Sequence, residues 1–129
     1  KSQAQGSLIE WSNELETGDT ETDKHHRALI NHINRLHKRF LISTDIEFAC
    51  NELKLIYEYS RFHFSEEEHL LGKKLRLGHK ENHEHLLTDL NRLIGEIREG
   101  RLKIQNVGDY LKYWLINHIK SFDIPALKK

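Results

Sequence analysis

The sequence predicts an all-α fold, an antiparallel up-down-up-down four-helix bundle with an N-terminal arm. Three observations predict it. Four stretches carry apolar residues at spacings of three and four, their connections are short, and no useful length alternates in the manner of a strand. Residues 1–22 have no sustained period and read as an arm packed on the bundle, with Trp11, Leu15 and Gly18 marking a turning segment. Residues 23–124 form the bundle, and residues 125–129 an exit segment or linker.

The first helix runs from about Asp23 to Phe40, because Leu29, Ile33, Leu36 and Phe40 fall on one face. Thr44 and Glu47 have the capping-box spacing at the start of a second, whose inner side carries Ala49, Leu53, Ile56 and Tyr59 and which ends near Leu71 or Gly72. Leu86, Leu90, Leu93 and Ile97 mark the third, closed by Gly100 where a left-handed residue is wanted. Asn106 is placed to cap the fourth, with Asp109 near its positive end. Val107, Leu111, Trp114 and Phe122 lie on its inner face, and Pro125 stops it.

Composition narrows the function. With 37% hydrophobic and 31% charged residues the chain suits one soluble domain. Twenty basic residues cancel twenty acidic ones, so no net field draws it to nucleic acid or to an anionic membrane. No apolar run approaches the roughly 18 residues needed to span a bilayer, and Lys1 to Ser7 lacks the core of a signal peptide. A cytoplasmic location is expected, in keeping with the single Cys50. The chain contains no Met, so a processed or excised piece of a longer protein is expected.

Ten histidines are the anomaly, and their helical phase decides their meaning. His26 continues the Leu29 stripe, while His63 and Glu67 follow Tyr59 at steps of four. His79 and His83 extend the Leu86 stripe. His118 follows Trp114 by four, and Asp123 comes five later, where a short carboxylate can still bend towards the axis. His25, His32, His37, His69 and His85 are expected on solvated or half-exposed faces. For a single inward histidine a hydrogen-bonded interior residue is the ordinary explanation. Five imidazoles and two carboxylates together are different, because each buried polar group without a partner costs roughly 1–3 kcal/mol against a net stability of about 5–15 kcal/mol.

Metal coordination offsets that cost. The ligand set is too large for one tetrahedral zinc and suits two first-row ions, each carboxylate bridging both. With a bridging oxygen, one ion reaches six ligands and the other five, leaving a position open. Walled by Phe64, Trp114 and Leu115, it suits a small neutral molecule such as O2, to which two ferrous ions would supply two electrons.

These residues resemble the hemerythrin family, in particular bacterial hemerythrin-like (bacteriohemerythrin) domains, from Trp11 to Asp123. Trp11, Gly18, Asp23, His26, Leu29 and Asn34 are similar to the family's opening pattern, and His63-Phe64-Ser65-Glu66-Glu67-Glu68 to its His-Phe-x-x-Glu-Glu motif. His79 and His83 match its His-x-x-x-His, and Trp114 to Ile119 with Asp123 its closing Trp-Leu-x-x-His-Ile and Asp. The resemblance implies His79, His83 and His118 on one iron, His26 and His63 on the other, and Glu67 and Asp123 bridging. It implies an O2 pocket of Phe64, Trp114, Leu115 and Ile119, and reversible O2 binding in an oxygen carrier, store or sensory input domain. Two departures stand out. The segment from Glu67 to His79 is short and carries Lys73-Lys74-Leu75-Arg76-Leu77-Gly78 in place of the usual Tyr-Pro, and His25 replaces the Gln that often precedes the first ligand. A tight loop from Gly72 to Gly78 is expected to keep His79 in phase.

Three functions follow: an O2-sensing input domain attached to a C-terminal output module, a free-standing carrier or store, and a di-iron oxidase, peroxidase or ferroxidase. The enzyme ranks third. Ferritin-like sites use two Glu-x-x-His pairs, only Glu66 with His69 has that spacing here, at a poor phase, and no acidic approach for iron is apparent.

Overall fold

The computed structural model describes residues 8–43 and 45–127. Four long helices, α1 (Thr20–Phe40), α2 (Ile46–Leu71), α3 (Leu77–Arg98) and α4 (Val107–His118), form the bundle; a π turn (Ile119–Asp123) joins α4 to a short α5 (Ile124–Leu127). Helix α2 packs on both α1 and α3, and α4 packs on α1. The Trp114 indole closes the ring by donating to the Leu86 carbonyl at 3.3 Å. None of these helices is long and apolar enough to cross a membrane.

Helix α1 begins at Thr20, not near Asp23, because the start is set by polar bonds that hydrophobic periodicity does not register. Asp19 accepts from the Thr22 amide at 2.9 Å, and Asp23 accepts from both the amide and the hydroxyl of Thr17 at 2.9 Å. Gly18, at φ +95°, makes the turn between them. Ahead of it the segment packs closely: Asn34 exchanges two hydrogen bonds with the Ile9 backbone, and the Arg27 guanidinium lies 4.6 Å above the Trp11 ring.

The expected cap Thr44 lies outside the described residues; Asp45 caps α2, accepting from the Phe48 amide. On α2 the buried step after Ile56 is Ser60, and Tyr59 is only half-buried. Gly72 ends α2 at φ +52°, and a single 3-10 turn leads to α3. Gly100, at φ +77°, closes α3 with the Arg101 amide bonded back to the Glu96 carbonyl. Asn106 stands at the start of α4 without a side-chain cap bond.

The largest difference is at the other end of α4. Pro125 does not stop the helical path, which continues to Leu127. In a regular helix a residue five positions on is rotated about 140° off the starting face. The π turn closes bonds between residues five apart and brings Asp123 back onto the face of His118, so Phe122 becomes half-buried instead.

Candidate metal centre

The N-terminal half of α1, the C-terminal half of α2, the start of α3 and the end of α4 lie at the same end of the bundle, as antiparallel packing requires. His26, His63, Glu67, His79, His83, His118 and Asp123 meet there, each at most 4% exposed. All five imidazoles turn Nε2 inward. His26 Nε2 is 3.1 Å from His63 Nε2 and 2.9 Å from Asp123 Oδ2; His79 and His118 Nε2 lie 3.1 and 3.0 Å from Asp123 Oδ1. Glu67 Oε1 is 3.3 Å from His83 Nε2 and 3.8 Å from His63 Nε2, and its Oε2 is 3.7 Å from His79 Nε2.

The donors fall into two groups, each with its atoms within 4.8 Å of one another. One is Glu67, His79, His83, His118 and Asp123; the other is His26, His63 and Asp123. Asp123 belongs to both. The short connection leaves His79 in phase: α3 starts two residues before it.

The outward edges of three rings are held from behind. His83 Nδ1 lies 2.8 Å from Glu68 Oε2, His118 Nδ1 bonds Asn82 Oδ1, and His63 Nδ1 lies 2.9 Å from His25 Nδ1. A partner there fixes the tautomer and leaves Nε2 as the lone-pair donor. Sequence reading assigned Glu68 and Asn82 no role. It placed His25 on a solvated or half-exposed face; the structure leaves it half-buried, with its ring edge-on to His63 at 5.1 Å. The only sequence signal was adjacency: Glu68 follows Glu67, Asn82 precedes His83 and His25 precedes His26.

Inside the cluster, Glu67 Oε1 and Oε2, His83 Nε2, His118 Nε2 and Asp123 Oδ2 are buried without a hydrogen-bond partner. Burial, reinforced by the neighbouring Asp123 carboxylate, pushes the Glu67 carboxyl up to about 11. Burial would raise Asp123 too, but His118, His26 and His79 hold it well below the usual carboxylate range. Burial and the neighbouring His26 hold His63 well below 6.5, and burial takes His83 down to about 4 in spite of Glu68. Two imidazoles that resist protonation, His63 and His83, beside a carboxyl denied ionisation leave the site short of positive charge, and orphaned inward donors are what first-row cations bind.

Phe64, Trp114, Leu115 and Ile119 are all buried in the adjoining core. Phe64 stacks flat on His83 with ring centroids 4.1 Å apart and lies 5.5 Å from His118. Among the other histidines, His69 and His85 are exposed, and His32 and His37 half-buried. One expectation needs correction. A cavity of about 260 Å³ between α1 and α2 is lined by Asp19, Glu21, His25, Glu66, Glu67 and His69, so an acidic approach exists; its carboxylates come from two helices and share no sequence motif. Glu66 and His69 are exposed on it, outside the cluster.

No family model matches the chain. It is similar to a hemerythrin-like protein of Naegleria gruberi, 27% identical over 125 residues covering 92% of this chain and 90% of that protein. It is also similar to the bacteriohemerythrin of Pseudomonas aeruginosa, 30% identical over 120 residues covering 88% of this chain and 75% of the relative. The fold is shared with a crystal structure of wild-type hemerythrin, at a TM-score of 0.81 and 24% identity over 95% of this chain and all of the other.

Proposed function

Because this chain belongs to the hemerythrin family, we propose that its seven converging side chains hold two iron ions and that it binds O2 reversibly, without being an enzyme itself. The observation that carries the reading is the set of five inward atoms, on Glu67, His83, His118 and Asp123, that are buried and crowd together without making a well-formed hydrogen bond. His79, His83 and His118 would serve one ion and His26 and His63 the other, with Glu67 and Asp123 shared. Bound there, the iron pair supplies the electrons and the Lewis acidity for O2 binding.

The chain's own residues do the rest. Glu68, Asn82 and His25 hold the outer ring edges, so that three imidazoles keep Nε2 aimed inward. Phe64, Trp114, Leu115 and Ile119 keep bulk water from one side of the cluster, which favours a small uncharged ligand over a hydrated one.

The finer reading is a sensory input domain of a larger signalling protein. Asp123 ends the π turn directly before α5, so a displacement of its carboxylate is passed to residues 124–127 with little intervening slack. A carrier or store needs the same site without that coupling.

Iron per chain, with optical spectra of the reduced protein before and after air, tests the site. Two irons and a reversible charge-transfer band are expected; a single ion, or zinc, overturns the reading. His118→Ala is expected to lose iron while His85→Ala keeps it, and equal effects would refute the assignment. Proteolysis after residue 123 is expected to differ in rate between diferrous and diferric forms; equal rates reject the sensory role.

A further inference from the structure

A cation can reach a buried cluster only where the fold lowers the cost of carrying charge inward, because an ion stripped of water has no stable place against an apolar wall. Between α1 and α2, the cavity of about 260 Å³ carries the carboxylates of Asp19, Glu21 and Glu66 with the imidazoles of His25 and His69, and neither lysine nor arginine lines it. None of these three carboxylates pairs with a lysine or arginine among the described residues; Glu21 Oε1 lies 3.9 Å from His25 Nε2. A second cavity, of about 700 Å³, touches the cluster at His79, but its walls hold Lys73, Lys74 and Arg76 and no carboxylate. The first attracts a divalent cation and the second repels one.

Acidic side chains at a surface are common and make no passage by themselves. The inner wall adds what they lack. Glu67 lines the acidic cavity and belongs to the cluster as well. It is 1% exposed, and both of its carboxyl oxygens are buried without a hydrogen bond. His25, half-buried on the same cavity, reaches both ways, with Nε2 towards Glu21 at the mouth and Nδ1 2.9 Å from His63 Nδ1 at the cluster. A cation moving inward meets exposed carboxylates first, then an imidazole, then a buried carboxyl that is already part of the centre.

We propose that this cavity is the entrance through which divalent iron is loaded, with Asp19, Glu21 and Glu66 gathering the hydrated ion and Glu67 receiving it at the cluster. The proposal deepens the iron reading and rests on it. Among the described residues, the side chains at the mouth form no donor group as tight as those of the cluster, so the cavity collects an ion and passes it on without retaining it. Asp19 also caps α1, accepting from the Thr22 amide at 2.9 Å, which leaves the exposed Glu21 and Glu66 as the side chains free to follow the ion.

Uptake of ferrous iron by the metal-free full chain tests it, started by mixing without O2, stopped at set times with excess chelator and read as iron retained per chain. Glu21→Gln with Glu66→Gln is expected to slow uptake by about tenfold or more, the scale of electrostatic focusing, with iron per chain at equilibrium unchanged. The slowing should shrink as salt is raised. Glu47→Gln with Glu99→Gln removes the same charge from exposed positions at the apolar end and should leave the rate unchanged, as should Lys73→Gln with Lys74→Gln. An unaltered rate in the first variant, or equal slowing in the second, overturns the proposal. Faster uptake without the two lysines would move the entrance to the other cavity and overturns it too. So does lower iron at equilibrium in the first variant, which would make Glu21 and Glu66 part of the centre itself. The two readings fail differently: full loading at an unaltered rate removes the entrance alone, whereas no iron retained by the unmodified chain removes both.

Discussion

The two ends of the bundle use the same helical phase for opposite purposes. At one end, Leu29, Ile33, Leu36 and Phe40 of α1 face Ala49, Leu53 and Ile56 of α2, Leu90, Leu93 and Ile97 of α3 and Leu111 of α4, all buried and all apolar. At the other, the same stripes carry His26, His63, Glu67, His79, His83 and His118, joined by Asp123 through the π turn. The apolar end is complete in itself, because dispersion and water release ask for nothing beyond close packing. The polar end is buried as deeply yet leaves five inward atoms without hydrogen bonds. Phase decides what is inside; residue type decides whether the inside is finished.

Removing the metal should therefore show the largest effect and show it at one end only. With each ion at about a thousandfold over its Kd, loading should stabilise the fold by about 4 kcal/mol per ion. Urea midpoints with and without chelator measure this, and coincident midpoints would erase the distinction between the ends. The apolar end gives the converse. Leu90→Ala should cost about 2–5 kcal/mol through lost burial and a residual cavity. Iron per chain should remain at the unmodified value. Loss of iron from this variant would mean that the ends are mechanically one unit.

Six of the seven inward groups were legible because helical phase is a local property and each lies within one position of an apolar stripe. Asp123 was legible only in part. The sequence places it five after His118, off the face of a regular helix, and the π turn that recovers it shows in hydrogen-bond register, not in residue type. The start of α1 at Thr20 escaped for a related reason, since Thr17, Asp19 and Asp23 define it through polar bonds that carry no period. His25, Glu68 and Asn82 lie on flanks that read as solvated faces, and whether such a flank meets water or a neighbouring helix depends on rotations between helices. Glu68→Gln tests one of them. Loss of the charge behind His83 Nδ1 should weaken iron binding by roughly 10- to 100-fold, about 1.4–2.8 kcal/mol, and leave Leu90 packing and metal-free stability nearly unchanged. An unchanged affinity would reduce Glu68 to a surface residue that happens to lie close.

The smallest effect separates the ends by pH. Without metal, Glu67 is held protonated up to about 11, whereas in the unfolded chain it ionises near 4.5. Between these values the folded state carries one proton more than the unfolded state, so stability must fall as pH rises, by at most about 1.4 kcal/mol per pH unit. His63 and His83 act in the opposite sense and elsewhere. Their folded values lie below 6.5, so they remove stability only as pH falls through that region. Asp123, depressed below 3.8, is ionised in both states well before neutrality. From about pH 7.5 to about pH 8.5 Glu67 acts alone among these groups. Cations bound at the cluster stabilise its carboxylate, so the loaded protein should lose the slope there. Urea midpoints across that interval should decline with pH in chelator and stay level with iron. A level profile in both would place the Glu67 proton elsewhere, and equal declines would show that the metal does not rest on this carboxylate.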